Sequence, residues 1–342
     1  MIRRRFPIPP WQSPARRSSR KRRDYPLRPP DRIEYFLFRL VGAAILSMPW
    51  RFAVDLSRLL SRILFQIDGK HRRLAMKNLS TAFPDWTERR LHLTARRTYE
   101  HFGRVVLELF WAPRFVRAST LHRHAVFVGY DIMDAALRRG RGVVGAVPHL
   151  GSWEFLGYAS ALRGTPLTSI ARPLDNRWIN DYLIGVRTWT GQEIIYKQNA
   201  LRRMIGCLRE NRVIGVPSDQ NVRHNGIFAP FFGRSAATVR STALLVVKYG
   251  ASLVVANPCR EETPYGFRYI LEVSPAVDLS HFPRDGNELQ HVTEYFTRKI
   301  EEFVRKHPEQ YLWMHRRWKT RPPEERPDEE EARMAAEKAG TK

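Results

Sequence analysis

Cysteine is nearly absent from the chain: Cys207 and Cys259 are the only two in 342 residues. Two thiols supply neither a disulfide framework nor a four-thiolate zinc site, so the fold must rest on its apolar core, and a reducing compartment is expected. Long apolar runs are missing as well. The cleanest, Leu40 to Trp50, has 11 residues, whereas a bilayer crossing needs about 20. There is no Gly-x-Ser-x-Gly elbow, which argues against a serine-nucleophile hydrolase, and no Walker loop or dinucleotide fingerprint; neither a nucleotide nor a metal cofactor is expected. Acidic residues are also scarce, 34 against 58 Lys and Arg, for a formal net charge of +24. Such a chain seeks anions, whether nucleic acid, an anionic lipid surface or an acidic carrier protein.

The excess charge is unevenly spread. Residues 1–32 hold 11 basic and two acidic side chains together with seven prolines, the composition of a disordered basic arm. The late start of the apolar stretch and the lack of a small-residue cleavage site argue against a secretory signal. From Ile33 the chain turns apolar but is interrupted by Glu34, Arg39 and Arg51. Residues 33–66 are therefore expected to form membrane-associated helices lying in the interface, with each Lys or Arg of the arm adding about 1 kcal/mol against anionic headgroups. A buried core helix is the alternative. The last 22 residues, 321–342, carry five basic and seven acidic side chains and are expected to be a disordered tail, which leaves residues 33–320 as one domain of net charge +17.

Within that domain, Arg51 to Phe65 and Glu88 to Trp111 show helical periodicity, with Leu91, Ala95, Thr98, Phe102, Val105 and Leu109 on one face. The second half alternates β-rich runs with helical patterns. Strands are expected at Gly142–Val147, Leu167–Ala171, Glu193–Tyr196, Val213–Val216 and Ser252–Asn257. Helices are expected at Ser152–Leu162, Asn176–Thr190, Ala200–Glu210 and Val239–Tyr249. This alternation predicts an α/β fold with a largely parallel central sheet flanked by helices.

The first of these strands runs into Pro148-His149-Leu150-Gly151-Ser152-Trp153-Glu154, with Ser152 placed to cap the following helix. His149 then lies on a strand-to-helix turn at the carboxyl end of the sheet, where open α/β sheets bind ligands. A histidine there suits the removal of a proton from a hydroxyl, and Glu154, reaching back from the first helical turn, is the expected partner that fixes the ring tautomer. Taken alone, the spacing is common by chance, and a lone histidine in a turn is usually a polar surface residue.

The run from His149 to Glu154 resembles the His-x-Gly-Asn-Trp-Glu pattern of the bacterial lipid A biosynthesis acyltransferases, the lauroyl and myristoyl transferases, whose relatives include phosphatidylinositol mannoside acyltransferases; Ser152 replaces the Asn. The resemblance continues in order through Asn78-Leu79, Ala82-Phe83-Pro84, Arg172-Pro-Leu-Asp-Asn176, Asp219-Gln220, Phe231-Phe232-Gly233 with Thr238, and His307 to Lys319. It implies a glycerolipid-acyltransferase-like fold at the cytoplasmic face of the cell inner membrane. It also implies transfer of an acyl chain from acyl carrier protein or a coenzyme A thioester to a hydroxyl of a glycolipid such as a lipid A precursor. By the same resemblance Arg172 holds a phosphate or polarises the thioester, with a surface salt bridge as the plainer reading. Asn176, Asp219, Gln220 and Thr238 are placed in the substrate cleft, and Phe231, Phe232 and Gly233 on a wall of the acyl groove. Asp219 read plainly is a turn cap, and the two phenylalanines core aromatics. The segment Trp313 to Lys319 suits a headgroup interface or a cap on the core. Backbone amides near Gly151 are the expected oxyanion donors, and with both cysteines outside any nucleophile motif the acyl group is expected to pass directly to the acceptor.

Two readings from other classes compete. The Arg-rich arm and the net charge would suit a nucleic-acid-binding protein, but no helix-turn-helix signature, zinc spacing or aromatic RNA-binding motif accompanies them. A catalytically inactive membrane scaffold of the same fold is the other, and retention of His149 and Glu154 counts against it.

Overall fold

The computed structural model describes residues 29–196, 200–263 and 266–325. Most of the expected basic arm and of the charged tail lies outside the described residues. Four helices come first: α1 (Pro29–Ser47), α2 (Trp50–Ile67), α3 (Gly69–Ala82) and α4 (Glu88–Phe115). The sheet strands and their connecting helices follow as β1 (Ala125–Val128), α5 (Tyr130–Arg138), β2 (Val143–Val147), α6 (Trp153–Arg163), β3 (Leu167–Ala171), α7 (Arg177–Trp189), β4 (Glu193–Tyr196), α8 (Ala200–Arg209) and β5 (Val213–Pro217). A hairpin of β6 (Ile227–Phe231) and β7 (Arg234–Thr238) precedes α9 (Arg240–Tyr249), β8 (Ser252–Glu261), β9 (Arg268–Val273) and α10 (Glu288–Lys306).

Seven strands form one sheet in the order β1-β9-β8-β2-β5-β3-β4. Every neighbouring pair is parallel except β8 with β9. The central strands read as unbroken apolar runs, Val-Val-Gly-Ala-Val in β2 and Val-Ile-Gly-Val-Pro in β5, because helices cover both faces of a parallel sheet. One core, containing Val144, Ala146, Ile214 and Val216, packs with α3, α9 and α10. The other, containing Val143, Val213 and Val254, packs with α5 and α6. The mixed α/β architecture expected from the alternation of patterns is present, and strands β1 and β9 on one side of the sheet, the hairpin and α10 are additions to it.

Helix α6 shows how local chemistry sets the element ends. The Ser152 hydroxyl accepts from the Phe155 N–H at 3.2 Å, and Gly164, at φ +101°, terminates the helix. In the hairpin, Phe232 and Gly233 both have positive φ, the two-residue turn whose twist matches antiparallel strands. This turn corrects the placement of Phe231 and Phe232 on an acyl groove: Phe231 is fully buried against Tyr311 and Trp318, and Phe232 against Phe83 and Trp313.

The first two helices turn much of their apolar surface outward. Ile33, Phe36, Leu37, Leu40 and Val41 on α1, and Phe52, Leu59, Leu60, Ile63 and Leu64 on α2, are about half or more exposed. Their spacing of three, four and seven residues makes one stripe on each helix. Helix α1 is held from its other side by aromatic contacts of Tyr35 with Trp178 and of Phe38 with Phe110 and Tyr182. It is thus not the buried core helix that was the alternative. Among the described residues no helix is long and apolar enough to cross a membrane.

Candidate active site

The register of the sheet builds the site. Val147 of β2 pairs with Pro217 of β5, so the residues two positions beyond each strand end, His149 and Asp219, meet across adjacent carboxyl ends although 70 residues separate them. The ring Nδ1 lies 2.6 Å from Asp219 Oδ1, and the His149 backbone N–H donates to Asp219 Oδ2 at 2.6 Å. A buried carboxylate on Nδ1 places the proton there and leaves Nε2 with its lone pair. Nε2 lies 3.1 Å from the Gln220 side-chain amide, and the ring packs edge-on against Trp153.

Electrostatics agree with this arrangement. Burial disfavours the imidazolium, but the charge and hydrogen bond of Asp219, with a further contribution from Glu154, outweigh it and raise the His149 pKa above its ordinary value. Burial likewise works against the Asp219 carboxylate, and the His149 ring, its N–H donors and nearby Arg317 hold it below its usual range.

The expectation that Glu154 holds the ring is corrected here. Glu154 forms a two-pronged ion pair with Arg187, at 2.6 and 2.9 Å, and the ring nitrogen it was expected to meet belongs to Asp219. The oxyanion expectation also changes. The Gly151 N–H donates to Gln310 O and the Ser152 N–H to Pro258 O, so neither is free to meet a developing charge. Gly151 itself is required, because at φ +58° a Cβ would lie 1.5 Å from Pro258 O. Its carbonyl is held from α4 by His101 Nε2 at 3.0 Å, and His101 in turn meets Arg260, which is paired with Glu108 in a fully buried cluster. Sequence reasoning missed this support, since His101 and Glu108 sit on a helix read only for its packing.

The remaining residues divide. A cavity of about 1780 Å³ opens around His149, larger than the ~300–1,000 Å³ of a drug-sized pocket and suited to a lipid. Arg172 and Gln220 line it, and Arg172 is exposed, with no ion pair or hydrogen bond among the described residues. Arg223, Arg240, Arg316 and Lys319 add positive charge to the lining. Asn176 is elsewhere. It is the buried N-cap of α7, accepting from the Trp178 and Ile179 N–H groups, and it donates to Asp31 O and Glu34 Oε2, tying α1 down. Thr238 is buried behind the site, accepting from Arg317 at 2.7 Å, and Gly233 belongs to the hairpin turn. None of the three lines the cavity. The Trp313 to Lys319 segment divides, with Trp313, Arg317 and Trp318 buried as a cap on the core and His315, Arg316 and Lys319 in the cavity wall.

Among the described residues Glu193, Cys207 and Glu210 bring ligand atoms close enough to share a metal. Both carboxylates are already taken by Arg203, burial pushes the Cys207 thiol up, and none of the three lines the cavity.

Comparison with known proteins bears on what this site does. The family model described as "Bacterial lipid A biosynthesis acyltransferase" matches residues 20–320. The lipid A biosynthesis palmitoleoyltransferase of Escherichia coli (strain K12) is 28% identical over 259 residues, 74% of this chain and 80% of that protein. The lauroyltransferase of the same organism is 24% identical over 290 residues, 81% and 89% of the two chains. The phosphatidylinositol mannoside acyltransferase of Mycobacterium tuberculosis (strain ATCC 25618 / H37Rv) is 25% identical over 224 residues, 64% and 68%.

Proposed function

Because the chain belongs to the bacterial lipid A biosynthesis acyltransferase family, we propose that it is an O-acyltransferase at the cytoplasmic face of the inner membrane, moving an acyl chain from a thioester onto a hydroxyl of a glycolipid. The observation that carries this reading is the His149–Asp219 pair, with the proton-free Nε2 turned to a lipid-sized cavity.

In this mechanism the acceptor hydroxyl displaces the Gln220 amide and donates its hydrogen bond to Nε2. As the hydroxyl oxygen attacks the thioester carbonyl carbon, its proton passes to Nε2, and Asp219 stabilises the imidazolium that forms. Collapse of the tetrahedral adduct breaks the C–S bond, and the imidazolium returns the proton to the leaving thiolate, giving an ester and a free thiol. Transfer is direct. Cys207 and Cys259 are buried away from the cavity, and burial raises both thiols, that of Cys259 strongly.

Acyl carrier protein and coenzyme A are both anionic donors, and a phosphorylated glycolipid is an anionic acceptor. Arg172, which has no ion pair among the described residues, and the basic lining suit either. The outward apolar stripes of α1 and α2 lie in the interface, and the fold is of the glycerolipid-acyltransferase type. The test offers purified protein, in detergent, acyl carrier protein and coenzyme A thioesters with lipid A precursors and other glycolipids. An ester-linked product with stoichiometric thiol release is expected, whereas hydrolysis without transfer to any lipid would refute the assignment.

A further inference from the structure

Two glycines in the middle of the sheet have no conformational reason to be there. Gly145 of β2 and Gly215 of β5 are directly paired across the strands. Neither has a positive φ, and each adopts backbone that any residue can. A Cβ at Gly145 would meet nothing nearer than Ile214 O at 3.8 Å, and at Gly215 nothing nearer than Ser169 Oγ at 3.5 Å. Glycine inside a strand weakens it and leaves no side chain to pack, a cost that close approach of a ligand explains. Both glycines line the cavity that contains His149, and Gly157 of α6 lines it as well.

Resting on the acyl-transfer reading above, we propose that the Gly145–Gly215 row is the passage through which the acyl chain runs beneath α6, and that the space left by the missing side chains determines which chain lengths are accepted. Pro217, Gly215 and Val213 of β5 all line the cavity, so it follows the strand for four residue steps, about 13 Å at ~3.3 Å each. With C–C bonds of about 1.5 Å, each methylene advances ~1.3 Å, so this stretch holds on the order of ten carbons. The glycine row lies halfway along it, and Thr165, Leu167 and Val213 stand at the amino ends of the strands beyond. A side chain added at the row therefore obstructs long chains and spares short ones.

The test compares wild type with Gly145→Ala, Gly145→Val and Gly215→Ala, each offered donors from hexanoyl to palmitoyl. A methylene in an apolar pocket discriminates by about tenfold or more, so Gly145→Val lowers the palmitoyl-to-hexanoyl rate ratio at least tenfold, and the alanine variants lower it less. An unchanged ratio in a folded Gly145→Val variant overturns the proposal. Should that variant fail to fold, the smaller alanine variants decide the matter by the same ratio. Displacement of a fluorescent fatty acid by free acids of the same lengths reads the passage without catalysis. If wild type transfers no chain at all, the acyl-transfer reading fails, while an unchanged displacement profile in Gly145→Ala separately refutes the passage.

Discussion

Replacing Asp219 by Asn tests the chemistry of the site most sharply, because the two side chains have nearly the same shape. Asp219 accepts two N–H groups from one residue, the His149 ring at one oxygen and the His149 backbone at the other, both at 2.6 Å. Asparagine has one acceptor oxygen. If that oxygen keeps the backbone N–H, the amide NH2 faces Nδ1, the ring proton moves to Nε2, and the base is lost. If it keeps the ring N–H, donor meets donor at the backbone, which leaves a buried group unpaired at ~1–3 kcal/mol and displaces the turn. The first outcome is the wrong-tautomer case, which costs on the order of 10⁴-fold in kcat in a serine protease triad. The carboxylate also opposes burial in setting the His149 pKa, so its removal leaves burial dominant and the pKa falls. In wild type the acidic limb of kcat/KM therefore lies above the ~6.5 of an ordinary histidine, and in Asp219→Asn the residual activity shows that limb at lower pH. Steady-state acyl transfer across pH measures both effects. A variant within about fivefold of wild type and with an unmoved limb would refute the role given to Asp219.

Three further outcomes follow from the geometry. Glu154→Gln breaks the pair with Arg187 but leaves the ring tautomer intact, so transfer falls while the acidic limb moves less than in Asp219→Asn; an equal or larger shift would restore Glu154 as the ring's partner. Glu108→Gln uncovers the buried Arg260 charge and loosens its hold, through His101, on the Gly151 carbonyl, and urea unfolding is expected to show a loss of roughly 3–5 kcal/mol; a loss below about 1 kcal/mol would contradict the reading. Asn176→Ala removes a cap worth about 1 kcal/mol together with both bonds to α1, so limited proteolysis cuts α1 faster, and an unchanged rate would mean that the aromatic contacts alone hold that helix.

The five strands and four connecting helices named from sequence correspond closely to β2, β3, β4, β5, β8, α6, α7, α8 and α9, because buried parallel strands write themselves as short apolar runs between helical periods. Strands β1 and β9 escaped notice because neither is an unbroken buried apolar run: β1 has four residues at the sheet edge with Val128 exposed, and β9 carries Arg268 and Glu272. His149 was legible from its strand-end position, but its partner was not. Glu154 was chosen by nearness in sequence, whereas Asp219 depends on β2 and β5 being neighbours, a fact of topology that spacing does not carry. Residues 231–233 and Asn176 were read as substrate contacts, and the structure gives them the work of a tight turn, a core and a helix cap.

The central claim is that Nε2 of His149 takes the acceptor proton, and the most direct measurement compares acyl transfer by purified wild type and His149→Ala from the same labelled thioesters to the same glycolipids. Transfer by wild type that disappears in a variant with unchanged circular dichroism and thermal unfolding is the predicted result. Transfer that survives in His149→Ala would contradict the account.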